Sequence, residues 1–177
     1  MMKTTNLTQE QKRLRRLVLS EYDITEAKDI CRYILKNGLW NEGNNPEKRM
    51  LGRSLQSAMV MAYCRPFSGN QRTEHTLRRP SIDIDKRLSA EQYGLHEDLM
   101  NLRHMVFAHT DAEIRDLEIR VESLAGFPSL TTMSTVHEVM FSQWEYMLIK
   151  TLFETVEDLF QSELKKIETT LTPGDSF

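Results

Sequence analysis

Apolar residues recur three and four positions apart along most of the chain, which predicts an all-α fold of five or six helices. The first helix is expected from about Gln9 to Glu21, opened by a Thr8-x-x-Gln11 capping box. Leu14, Leu17 and Val18 form one side of it, and Lys12, Arg13, Arg15 and Arg16 the other. The second starts after Asp23, whose carboxylate can accept from the next turn's amides, and ends at Asn37-Gly38. Its apolar stripe is Ile24, Ala27, Cys31, Ile34 and Leu35. Asn45-Pro46 opens the third helix, since Pro is favoured at the first helical position. The stretch Leu55 to Cys64 is apolar on nearly every side, as a central helix requires, and must stop near Arg65 because Pro66 follows. Ser89-x-x-Gln92 starts a fourth helix through Leu95, Leu99, Leu102 and Val106, ending around His109.

After that the period changes. Leu117, Ile119 and Val121 alternate with Glu118, Arg120 and Glu122, a pattern of a short strand or extended arm, and Gly126-Phe127-Pro128 breaks the chain. From about Thr131 to Glu168 there is no Gly or Pro, and Val136, Met140, Trp144, Met147, Leu152, Val156 and Leu164 keep a helical period. One helix of about 37 residues would be roughly 55 Å long, so it is expected to kink or to project into a partner.

Composition adds limits. With 177 residues, 40% of them hydrophobic, the chain can bury a core as a single domain without disulfides or metal. Cys31 and Cys64 lack CxxC neighbours, which fits a reducing compartment. The longest apolar run, Met59 to Cys64, is far too short to cross a bilayer, and Thr4 to Arg16 is polar and basic, unlike a secretion signal. A cytoplasmic protein without membrane contact is the expectation. The net charge of -3 conceals an asymmetry, because residues 1–110 carry 18 Lys and Arg against 13 Asp and Glu, whereas residues 111–177 carry 5 against 13. Part of the basic excess lies in the irregular segment 65–89, with Arg65, Arg72, Arg78, Arg79, Lys86 and Arg87. A connection of that length inside a compact domain is usually either functional or mobile. Phe67 is its one aromatic, so it lacks the interleaved stacking residues of a single-strand track.

No phosphate-binding glycine loop, HExxH, GxSxG or EF-hand pattern occurs. His96, His104 and His109 lie near Glu97, Asp98 and Asp111, but five helical residues turn about 140°, so the histidines diverge and neither metal nor cofactor is expected. The segment Asn101-Leu102-Arg103-His104-Met105-Val106-Phe107-Ala108-His109-Thr110-Asp111 instead places an Arg six positions before a His at the end of an amphipathic helix. An Arg followed by a polar residue and then by a His at this spacing resembles the signature of the HEPN superfamily of all-helical RNA-binding and RNA-cleaving domains. The form Arg-x-x-Val-Phe-Ala-His-Thr-Asp, with Ala62-Tyr63-Cys64-Arg65-Pro66-Phe67-Ser68-Gly69-Asn70 upstream, is similar to its abortive-infection and toxin-like branch. That family more often has Asn or Asp where this chain has His104.

The resemblance implies an up-and-down helical bundle, with Arg103, His109 and His104 as catalytic residues and a homodimer in which two motifs meet in one cleft. It further implies cleavage to 2',3'-cyclic phosphate ends and a neutralising antitoxin, nucleotidyltransferase-like in some members. Arg65 and Asn101 are the candidate RNA contacts. The chemistry is sound without the family. His can exchange protons near neutral pH, and the Arg fork can stabilise charge on the phosphorane. On one helix Arg103 and His109 stand about 120° apart, so they reach one phosphate only if the last turn unwinds, if the long Arg side chain bends across, or, as the resemblance implies, if two copies share a cleft. The rival is a non-catalytic helical interaction or nucleotide-binding protein, in which His109 stabilises a helix C-terminus and Arg103 pairs with surface carboxylates.

Overall fold

The computed structural model describes residues 8–41, 43, 45–68, 82, 84–103, 115–124, 127–136 and 141–169, the strands by their backbone alone. Four helices are present among these residues: α1 (Gln9–Lys36), α2 (Pro46–Cys64), α3 (Ala90–Leu102) and α4 (Gln143–Glu168). Two 3-10 turns, Arg65–Phe67 and Ile84–Lys86, lie between α2 and α3. The fold is an all-α bundle with one appended ribbon.

The helix starts follow local chemistry. Thr8, Ser89 and Ser142 each accept from the amide three residues on, while the side chains of Gln11, Gln92 and Glu145 return the bond. Asn45 caps α2, with Pro46 at its first position. α1 ends as expected at Asn37-Gly38, where Gly38 takes φ +60° and the Leu39 amide reaches back to the Ile34 carbonyl at 3.0 Å.

Two expectations are corrected. The first and second predicted helices are one continuous helix, α1. No Gly or Pro interrupts Glu21 to Thr25, and Asp23, rather than capping a helix, sits mid-helix and binds Arg65 at 3.1 Å. The predicted long C-terminal helix is instead a strand and a shorter helix. β1 (Arg115–Leu124) pairs antiparallel with β2 (Phe127–Val136), from Arg115 opposite Val136 to Leu124 opposite Phe127. The extended arm is therefore half of a hairpin. Thr131, Thr132, Thr135 and Val136 are β-branched and favour the strand, and Ser142-x-x-Glu145 starts the helix that the apolar period alone places earlier. Val136 thus belongs to β2, and Met140 lies outside the described residues.

The core lies between α1, α2 and α4. Ile24, Ala27, Cys31 and Ile34 from α1 meet Met59, Val60 and Tyr63 from α2, and Ile149, Leu152, Phe153, Val156 and Phe160 from α4, all fully buried. Each large side chain so removed from water contributes about 1.5–3 kcal/mol. Tyr63 stacks on Phe153 with ring centroids 4.6 Å apart, and the buried Tyr146 hydroxyl donates to Gln56 Oε1 at 2.8 Å. α1 and α4 run antiparallel and share a polar seam beside the core. Arg13 meets Glu163, Lys28 meets Glu157, and Arg32 meets Glu154. Lys150 and Arg32 hold the Glu154 carboxyl below the usual carboxylate range, and Lys166 does the same for Glu163.

Both cysteines are free and buried, and burial pushes each thiol up to about 12. At pH 8 the thiolate fraction is then on the order of one in ten thousand. Cys31 and Cys64 are expected to resist a disulfide labelling reagent for hours in buffer and to react within minutes in denaturant. Rapid labelling of the folded protein would contradict their burial. Among the described residues no helix is long and apolar enough to cross a membrane.

Candidate functional site

The C-terminal end of α3 holds the first half of the Arg-His motif, and three contacts fix where it lies. His96, Leu99 and Leu102 are the buried residues of α3 and recur at helical spacing. Tyr63 of α2 shares a 2.8 Å hydrogen bond between its hydroxyl and His96 Nδ1, and the Cys64 thiol donates to the Leu99 carbonyl at 3.5 Å. On the other side, Gln92 Nε2 donates to Thr155 Oγ1 of α4 at 2.9 Å. His96 also meets Phe67 edge-on at 4.9 Å between centroids, so the helix is seated against an aromatic wall made by the end of α2.

Arg103 follows Leu99 by one turn and caps α3, its amide directed at the Leu99 and Met100 carbonyls. It is half-buried, and its Nε is buried without a hydrogen-bond partner among the described residues. A buried donor in that condition costs about 1–3 kcal/mol relative to one with an acceptor. Arg16 Nε is likewise unpartnered, but that side chain already has a structural task. Its Nη2 donates to the Arg65 and Pro66 carbonyls at 3.2 Å each, setting a cation on the 3-10 turn that follows α2. Arg103 also lies close enough to Cys64 for its charge to oppose, without overcoming, the effect of burial on that thiol.

Arg65 stands elsewhere in electrostatic terms. Its Nη1 donates to Asp23 at 3.1 Å and Glu26 at 2.7 Å, and these bonds raise its pKa further above the ordinary arginine value. A phosphate reaching this half-exposed guanidinium meets two carboxylates first. Asn101 is exposed on the last turn of α3 and, two residues before Arg103, points about 200° away around the axis. The structure therefore does not bring Asn101 and Arg103 to one face. His104 and His109 lie outside the described residues, as do positions 69–81 of the basic connection.

Sequence reasoning overlooked the Tyr63–His96 pair. The residues are 33 positions apart, and only their places on two buried helical faces could have hinted at it. Among the described residues, no three His, Cys, Asp or Glu side chains gather closely enough to hold a metal ion. Comparison with protein-family models, with curated proteins and with solved structures returned no match.

Proposed function

We propose that the chain is a metal-independent endoribonuclease of the HEPN kind, working in the cytoplasm as a homodimer. One observation carries the reading. Arg103, which the sequence sets six positions before His109, has a buried guanidinium donor without an acceptor among the described residues, on a helix end that two packed neighbours hold in place. In the proposed reaction one His109 takes the proton of a ribose 2'-hydroxyl, and the 2'-oxygen attacks the adjacent phosphorus. The bond from phosphorus to the 5'-oxygen breaks, and that oxygen leaves with a proton from the second His109 or from His104. Arg103 stabilises the charge that gathers on the non-bridging oxygens. The products are a 2',3'-cyclic phosphate and a 5'-hydroxyl. An enzyme of this kind calls for a neutralising antitoxin, with a nucleotidyltransferase-like protein as the candidate class.

The test compares an RNA oligonucleotide with its fully 2'-O-methylated counterpart. Cleavage of the RNA alone is expected, because the methyl group removes the nucleophile. Cleavage of both strands, or of neither by a folded protein, would count against this chemistry.

A further inference from the structure

One face of α1 remains uncovered by α2 and α4. Lys12, Arg15, Leu19, Tyr22, Glu26 and Asp29 lie along it at alternating steps of three and four residues, and all six are exposed. Leu19 and Tyr22, at the middle of the row, are 50% and 67% exposed. Such spacing puts all six on one stripe of the helix, the stripe that a second helix would cover, and two large apolar side chains stand exposed at its centre.

The order of chemistry along the seam is two cations, two apolar residues, two anions. Run antiparallel against a copy of itself, about a two-fold axis between Ser20 and Glu21, the row is self-complementary: Lys12 faces Asp29, Arg15 faces Glu26, and Leu19 faces Tyr22. Symmetry makes each pairing twice, as an isologous interface requires. One step further out, Thr8 faces Tyr33, itself 51% exposed. Other arrangements are poorer. A parallel pair sets Lys12 on Lys12 and Glu26 on Glu26, and an antiparallel slip of one heptad sets Leu19 on Asp29 and Tyr22 on Glu26. Opposite charges at the flanks therefore select both direction and register.

We propose that this face of α1 is a homodimer surface, on which a second copy of the chain packs α1 antiparallel in that register. The seam drifts by about 20° per heptad on a straight helix, so the two helices cross at about 20°. Lys12 and Arg15 have no ion-pair partner among the described residues, whereas Glu26 already accepts from Arg65 at 2.7 Å. Asp29 lies 3.7 Å from Arg32 in an exposed pair along the same helix, which is worth little, so the outer pair, Lys12 with Asp29, is the cleaner one to test. The surface does not depend on the ribonuclease reading, and a dimer formed elsewhere on the molecule would remove this proposal while leaving that reading intact.

Sedimentation equilibrium of the full chain measures it. Wild type is expected to dimerise. Lys12→Asp and Asp29→Lys should each weaken the dimer by about tenfold, since each creates two like-charge contacts. The double variant should recover wild-type affinity, and Leu19→Asp should leave only monomer, with circular dichroism confirming helix content throughout. A monomeric wild type overturns the proposal. So does a dimer indifferent to Leu19→Asp, or a double variant no better than the single ones.

Discussion

Replacing Glu157 by Ala is expected to lower the unfolding free energy by about 3–5 kcal/mol and the melting temperature by roughly 6–20 °C. The reason is the company the carboxylate keeps. Lys28 and Glu157 are 10% and 12% exposed at their side chains, they meet across the α1–α4 contact, and Thr25 donates a further hydrogen bond to Glu157 at 3.0 Å. Removing the anion leaves a largely buried ammonium group at the edge of the core without its counter-charge. Removing both charges is another matter. Lys28→Met with Glu157→Leu should come within about 2 kcal/mol of wild type, because desolvation of a buried pair offsets most of its attraction. Urea titration of the three variants checks the pattern. A single truncation costing under about 1 kcal/mol would mean that the pair is not buried as described.

The second large effect concerns Arg103. If it is the phosphate-binding group, Arg103→Ala should slow RNA cleavage by about 100-fold to 10,000-fold, and Arg103→Lys should recover only part, because a point charge lacks the two-pronged fork. Stability should move the other way. The truncation deletes a buried donor that has no partner among the described residues, so the variant should melt at the same temperature as wild type or slightly above it. A structural arginine predicts the reverse, with loss of stability and no change in any rate. Measuring turnover and melting on the same preparation separates the two roles.

What the sequence disclosed, and what it did not, divides along the range of the interactions. Thr8, Asn45 and Ser89 announced helix starts, and Asn37-Gly38 announced an end, because caps are settled within a few residues. The continuity of α1 through Asp23 was hidden for the opposite reason. An Asp before an apolar period reads locally as a cap, and its actual partner, Arg65, is 42 positions away. The hairpin was half visible. The alternation at Leu117 to Val121 marks β1, but β2 shares its apolar spacing with a helix, and only pairing with β1 decides between them. Lys28 and Glu157, 129 positions apart, left no local trace at all. At the candidate site, Arg103 stood out by its spacing from His109, whereas the Tyr63–His96 contact that seats its helix needed the folded chain. Arg65 is a candidate RNA contact by sequence, and the two carboxylates that hold it come from a distant helix, α1.

The central claim is that Arg103 and His109 cleave RNA without a metal ion. It is tested most directly by incubating wild type, Arg103→Ala and His109→Ala with total RNA in excess EDTA, after equal folding has been established, and identifying the new ends. The account predicts fragments with 2',3'-cyclic phosphate and 5'-hydroxyl termini from wild type and almost none from either variant. Intact RNA with wild type, or equal cleavage by all three, would contradict it.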